Sequence, residues 1–157
     1  MYAPGHILLV RQPGEAVTID VTGATPVASP AATMSQYQGW SNGTLPADGR
    51  VLVSGGSAIA NRPLGVALRN EIRDPATGAC TLGATATKPR LHHSAALLLP
   101  DGSVITGGGG APGLVANLNA GWFYPSYPYH PDTTGMPAPR PALAAAHGYA
   151  LPVGVAP

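Results

Sequence analysis

The sequence has few charged residues and one cysteine in its 157 residues. Charged side chains make up 10% of the chain, and eight Lys and Arg against seven Asp and Glu give a net charge of +1. Because no basic run is present, the chain lacks the electrostatic footprint with which proteins bind nucleic acid. A single Cys cannot form an internal disulfide, so the cysteine content leaves the redox compartment open.

Long apolar runs are also missing. The longest strongly apolar runs, 7–10 and 95–99, are much shorter than the roughly 20 residues that a membrane-spanning helix needs. The first run follows no cationic segment, so the first residues do not fit the pattern of a signal peptide. The sequence predicts no membrane span.

Glycine and proline are abundant, with 21 Gly and 18 Pro. A Gly inside a helix costs about 1 kcal/mol and a Pro about 3 kcal/mol, so the chain has little room for long helices. Apolar residues make up 45% of the sequence, which favours a globular fold over disorder. Together these features predict an all-β fold rich in turns.

A short pattern recurs along the chain. The stretch 45–56 (LPADGRVLVSGG) matches 98–108 (LLPDGSVITGG) at an offset of 53 positions, and 2–10 (YAPGHILLV) is a weaker third copy. Each copy combines a turn containing glycine with an apolar, β-branched run, which predicts a repeated hairpin. The connecting stretches 17–23 and 70–78 are predicted as outer strands. A repeat of about 50 residues with four short strands per unit is typical of kelch-type β-propeller blades.

The repeat predicts the domain organisation. A chain of this length holds about three such units, whereas propellers close with about 4 to 8 blades. Residues 1–131 are therefore predicted as a partial propeller, which is either a segment of a longer protein or associates with other copies, because an open array leaves sheet edges unpaired. Residues 132–157 are rich in Pro and Ala. They are predicted as a linker and the truncated start of a second domain, or alternatively as a closing strand.

Paired histidines provide the strongest candidate site. Imidazole is the commonest transition-metal ligand and suits copper, so His92 and His93 are candidate metal ligands. Adjacent side chains on a regular strand point to opposite faces, so both rings reach one metal only where the backbone leaves the extended conformation. The alternative is a structural histidine pair beside a turn.

Three other motifs favour structural roles. The stretch 108–113 (GGGAPG) matches GxGxxG in form, but no βαβ unit surrounds it, so a nucleotide site is not predicted. The stretch 42–44 (NGT) is predicted as a turn in preference to a glycosylation site. Cys80 is predicted as a small buried hydrophobe at the start of a strand, in preference to a reactive thiol.

The stretch 90–110 (RLHHSAALLLPDGSVITGGGG), followed by YPSYPY at 124–129 and Arg140-Pro141, resembles the last blades of galactose oxidase and glyoxal oxidase, the radical copper oxidases. The resemblance covers roughly 40–141. It implies a kelch-type propeller followed by the start of an immunoglobulin-like early-set β-sandwich at 132–157. It also implies an extracellular or periplasmic location, and the remaining blades of the parent chain as partners.

The resemblance assigns roles to the two histidines. The family motif is Arg-x-Tyr-His-Ser, so His93 matches an equatorial copper ligand, and His92 stands where the family has its axial, catalytic Tyr. The implied parent enzyme oxidises a small-molecule alcohol, aldehyde or carbohydrate with O2 and releases hydrogen peroxide. Cys80 does not match the cross-linking Cys of the family, whose remaining ligands lie outside this segment, so the isolated chain is expected to be inactive. The alternative is a non-catalytic kelch module that binds a glycan or a protein.

Overall fold

The computed structural model describes residues 1–11, 14–59, 61–110, 113 and 116–126. The predicted second domain at 132–157 lies outside these residues. Within them the chain forms strands and turns without a helix, so none of the described segments is a helix that could cross a membrane. The strands are β1 (His6–Val10), β2 (Ala16–Asp20), β3 (Val27–Ala31), β4 (Asn42–Thr44), β5 (Val51–Ser54), β6 (Arg69–Arg73), β7 (Cys80–Thr85), β8 (Ser94–Leu98), β9 (Val104–Gly108) and β10 (Ala120–Phe123).

The strands form three antiparallel sheets that follow one another along the chain. Sheet 1 is β1-β2-β3, sheet 2 is β4-β5-β6-β7 and sheet 3 is β8-β9-β10. Sequential strands pair in each sheet, as in a meander, so the predicted all-β class and the three repeated units are confirmed. The prediction of outer strands at 17–23 and 70–78 is wrong, because β2 and β6 each pair on both sides and the edges are β3 and β7.

Local turn chemistry explains the repeated Asp-Gly pair. The turn glycines of the three copies all have positive φ angles, between 73° and 86°: Gly5, Gly49 and Gly102. Beside two of these glycines, an aspartate accepts a backbone hydrogen bond from the residue two positions later. The Oδ1 atom of Asp48 lies 3.1 Å from the nitrogen of Arg50, and that of Asp101 lies 2.9 Å from the nitrogen of Ser103. These side chains fix the turn at each hairpin.

Strand β5 of sheet 2 is buried along its whole length because a neighbouring sheet packs on each of its faces. Val51 and Val53 face sheet 1, where they pack with Met34, Leu8 and Val10. Leu52 points the other way and is fully buried with two large side chains of sheet 3, Val104 and Phe123. Each such buried side chain contributes about 1.5–3 kcal/mol to stability, so these two clusters hold the three sheets together.

The far faces of the terminal sheets are apolar and exposed. In sheet 3, Leu97 and Trp122 flank Ile105 in register, and their exposed fractions are 64% and 56%. In sheet 1, Leu9 is 45% exposed and pairs in register with Val17. Sheet 2 has a neighbouring sheet packed on each of its two faces, whereas sheets 1 and 3 each leave one apolar face without such a neighbour among the described residues.

The stretch predicted as a turn at 42–44 is strand β4, so that prediction is wrong. Tertiary pairing decides the conformation, since Asn42 lies opposite Ser54 and Thr44 lies opposite Leu52 on β5. The Nδ2 atom of Asn42 donates to the Oγ atom of Ser94 at 2.7 Å, which ties β4 of sheet 2 to β8 of sheet 3.

Candidate functional site

The two predicted metal ligands lie in a tight turn just before β8, which we call the histidine turn (residues 91–94). The backbone nitrogen of Ser94 donates to the carbonyl oxygen of Leu91 at 2.9 Å. His93 has a φ of 64°, in the left-handed region that few non-glycine residues adopt. The backbone has therefore left the extended conformation, and the rings of His92 and His93 lie 3.9 Å apart at 66°.

Three consecutive glycines hold the histidine turn against sheet 3. Residues 108–110 all have positive φ angles, and the nitrogen of Gly110 donates to the carbonyl oxygen of His92 at 2.8 Å. A Cβ atom on Gly109 would lie 2.8 Å from the nitrogen of Leu91, closer than real side chains approach. The glycine run that follows β9 is therefore a close contact surface for the backbone of the histidine turn.

Trp40 forms a wall beside His92 that sequence analysis did not single out. The indole ring lies 4.3 Å from the imidazole of His92 at an interplanar angle of 69°. Trp40 occupies the position of His93 one repeat earlier and shares its left-handed backbone, with a φ of 65°. The 53-residue offset, applied to His93, points to Trp40 in the sequence.

The histidine turn is open to solvent on one side. His93 is exposed, His92 is half-buried, and Trp40 is 52% exposed. Within the part of the chain that the structure describes, no three His, Cys, Asp or Glu side chains come together as a metal cluster. The described residues thus bring together two imidazoles, which are at most part of a transition-metal coordination sphere, and the indole of Trp40 beside them.

Arg90 anchors the chain just before the histidine turn. It is 4% exposed, and its guanidinium donates to the Oγ1 atom of Thr106 at 3.3 Å and to the carbonyl oxygen of Gly108 at 3.2 Å. Its own carbonyl oxygen accepts from the nitrogen of Gly56 at 2.7 Å, which joins sheet 2 to the turn. Burial lowers the pKa of Arg90.

Cys80 lies elsewhere, in the apolar cluster between sheets 1 and 2. Its Sγ atom is 3.8 Å from the Sδ atom of Met34 and 3.7 Å from Nη1 of Arg73. Burial raises the pKa of the Cys80 thiol, which keeps it protonated at neutral pH. The prediction that Cys80 begins a strand is confirmed, and its side chain is half-buried against this cluster.

Comparison with solved structures shows which proteins this chain is similar to. The chain is similar to a protein described as a novel fungal alcohol oxidase with catalytic diversity among the AA5 family, in complex with copper. Its identity to that protein is 26% over 90% of this chain and 33% of that chain, with a TM-score of 0.77. A likeness to the structure of YjhT, at 14% identity over 68% of this chain and 32% of that one, has a TM-score of 0.56 and shows the fold alone.

No family model and no curated protein matches the sequence. The chain spans about one third of the length of both solved structures. The first of them confirms the resemblance to the galactose oxidase-like copper oxidases that the sequence predicts.

Proposed function

We propose that the chain is a segment of a copper-radical oxidase and that its histidine turn supplies copper ligands to a site completed by the rest of that protein. The observation that carries this proposal is the left-handed turn that places the rings of His92 and His93 3.9 Å apart. The similarity to a copper-bound alcohol oxidase over 90% of the chain supports it.

The residues of the turn have different proposed roles. His93 would hold the copper, and His92 would stand in the place of the family's catalytic Tyr. Bound copper would supply one-electron chemistry toward O2, and the overall reaction converts a primary alcohol and O2 into an aldehyde and hydrogen peroxide, or an aldehyde, water and O2 into an acid and hydrogen peroxide. His92 therefore presents an imidazole nitrogen where the family has a phenol oxygen.

The donor set of the described residues fits copper only in part. Neutral imidazole is a good copper ligand, and both rings lie at a solvent-facing turn. The described residues hold no further ligand cluster. The isolated chain is therefore expected to bind copper weakly and to lack oxidase activity. In this proposal the longer protein adds the missing ligands. It acts outside the cell on a small alcohol, aldehyde or carbohydrate.

The exposed apolar faces support the proposal that this is a segment. Leu9 of sheet 1 and Leu97 of sheet 3 lie on faces that, in sheet 2, are covered by a neighbouring sheet. In the proposed parent protein further sheets cover both faces. These sheets are then the chain's partners, and the kelch-type blades close into a ring.

A second candidate function is a non-catalytic module that binds a glycan. The exposed indole of Trp40 beside His92 favours it, because aromatic rings with a polar neighbour stack on sugars. In that case the histidines act as polar contacts or support the turn.

Copper titration of the chain, monitored by electron paramagnetic resonance, separates the two candidates. We expect Cu(II) coordinated by imidazole nitrogen, with affinity reduced about tenfold in His93→Ala, a loss of about 1.4 kcal/mol. His6→Ala is the matched control, because His6 lies on β1 of sheet 1. Equal copper binding by the wild type and both histidine-turn variants, His92→Ala and His93→Ala, would contradict the copper proposal.

In the longer protein, the test is peroxide release. His92→Tyr restores the family's axial residue and is expected to raise the rate of alcohol-dependent peroxide release. No activity in either version, together with saturable glycan binding that Trp40→Ala removes, would support the binding module instead.

A further inference from the structure

A cavity of about 240 Å³ lies between sheets 2 and 3, and Arg90 is one of its lining residues. It opens between the connector after β7 and the face of strands β9 and β10 that carries Thr106 and Gly121. Its polar lining carries two cations, three hydroxyl groups and one amide, and none of the lining residues is a carboxylate: Asn70, Thr85, Thr87, Lys88, Arg90 and Thr106.

Among the residues that the structure describes, the guanidinium of Arg90 is a buried cation without a counterion. Its hydrogen bonds go to Thr106 and to the carbonyl oxygen of Gly108, and neither ion pair of the described residues involves it. A buried charge is costly unless it is paired, so this position favours an anion. Lys88, at the same cavity, adds positive charge that attracts one.

A glycine leaves the cavity open above the guanidinium. A Cβ atom on Gly121 would lie 3.7 Å from Nη2 of Arg90 and 3.8 Å from Oγ1 of Thr106. The Nε and Nη1 atoms of Arg90 make hydrogen bonds within the protein, and Nη2 makes none to the described part of the chain. Nη2 of Arg90, which lies beside Gly121, is therefore the donor that a ligand can engage.

We propose that this cavity binds a small hydroxycarboxylate, whose carboxylate accepts a hydrogen bond from Nη2 of Arg90 and whose hydroxyl groups face the threonines. The volume lies below the roughly 300–1,000 Å³ of sites for drug-sized ligands, which selects a small molecule. The cavity has one buried cation whose Nη2 atom keeps two N–H donors, which match the two oxygens of a singly charged carboxylate. The site does not include the histidine turn, so it stands independently of the copper proposal.

Amide chemical shifts provide a direct test with the full chain. We expect the amide signals of Thr87, Lys88 and Gly121, which line the cavity, to shift along one saturable curve with glycerate and not to shift with glycerol, its neutral counterpart, at equal ionic strength. A response to glycerol equal to that to glycerate, or no response to either, would overturn the proposal, and tighter binding of inorganic phosphate would overturn the assigned ligand class.

Substitution of strand glycines gives a matched pair of variants. Gly121→Val places a side chain over Nη2 of Arg90, in a strand that accepts β-branched residues, and should weaken glycerate binding at least tenfold. Gly43→Val is the control, because a Cβ atom there meets no atom within 4 Å. Lys88→Gln should weaken binding two- to threefold and reduce its salt dependence. Unchanged affinity in Gly121→Val, or an equal loss in Gly43→Val, would contradict the site.

Discussion

Trp40 and His93 occupy the same position in consecutive sheets, with φ angles of 65° and 64°. The hydrogen bond from Ser94 to Leu91 that closes the turn around His93 has its counterpart 53 residues earlier, from Ser41 to Gln38. The turn is thus a feature of the repeat. One copy carries an indole and the other an imidazole, and the contact between sheets brings both to His92.

Because His93 has a left-handed backbone, we expect its replacement by Gly to change stability and copper affinity in opposite directions. A non-glycine residue in this region costs about 1 kcal/mol, so His93→Gly should raise the free energy of unfolding by about that amount in urea titrations. The same variant should lose copper affinity. His93→Ala is the control, because it removes the ring without relieving the backbone. Equal stability of the Gly and Ala variants would show that the turn is unstrained.

The glycine contact under the histidine turn predicts a large effect of a small substitution. At Gly109 a Cβ atom would lie 2.8 Å from the nitrogen of Leu91, and φ is 103°. We expect Gly109→Ala to lower the free energy of unfolding by about 2–3 kcal/mol and to weaken copper binding by displacing the turn. Gly43→Ala should stay within about 0.5 kcal/mol of the wild type. A thermal melt of both variants distinguishes these outcomes, and a mild Gly109→Ala would mean that the turn does not depend on this contact.

The repeat also identifies a stabilising substitution. Gln38 is 1% exposed, and neither polar atom of its amide has a hydrogen-bond partner among the described residues. Its counterpart in the next sheet is Leu91, which is 1% exposed. Gln38→Leu should therefore raise the free energy of unfolding by about 1–2 kcal/mol, because it removes an unsatisfied buried amide. The reciprocal Leu91→Gln should destabilise by a similar amount, and a destabilised Gln38→Leu would indicate that the amide is bound to water.

The features that sequence predicts well are those set by local chemistry. The Asp-Gly turns depend only on neighbouring residues, because Asp48 and Asp101 each precede a glycine and accept a hydrogen bond from the backbone nitrogen two positions later. Strand β3 (Val27–Ala31) was missed because it contains Pro30, which a central strand would exclude. Pro30 is tolerated here because β3 is an edge strand that pairs only with β2.

Features set by tertiary contact were not predictable in the same way. Strand β4 looks like a turn from its Asn-Gly pair, and its pairing with β5 overrides that preference. The histidine pair was found from residue type alone, but its contact with Trp40 joins residues 52 positions apart in sequence. The burial of the Arg90 guanidinium was not predictable from the sequence, because it depends on how sheets 2 and 3 pack.

Burial of Cys80 predicts a slow thiol and a pH-dependent stability. Its pKa is raised above the ordinary value of 9.0, chiefly by burial, so the folded state holds the thiol proton more tightly than the unfolded state. The resulting stabilisation is fully present below pH 9 and is lost as the pH rises through the raised value. We expect slower alkylation by iodoacetamide at pH 8 than for a free thiol. Cys80→Ser should remove part of the decline in stability above pH 9, and an unchanged decline would assign it to other groups.

The exposed row on sheet 3 predicts how the isolated chain behaves in solution. Leu97 and Trp122 flank Ile105 in register and leave a continuous apolar stripe in water. Such a stripe should bind a hydrophobic dye such as ANS and promote association between copies, as measured by light scattering. Leu97→Lys should reduce dye fluorescence by about half or more, since it places a charge at the most exposed member of the row. Leu82→Lys, on edge strand β7 of sheet 2, is the control, and an equal reduction there would show that the stripe has no special affinity.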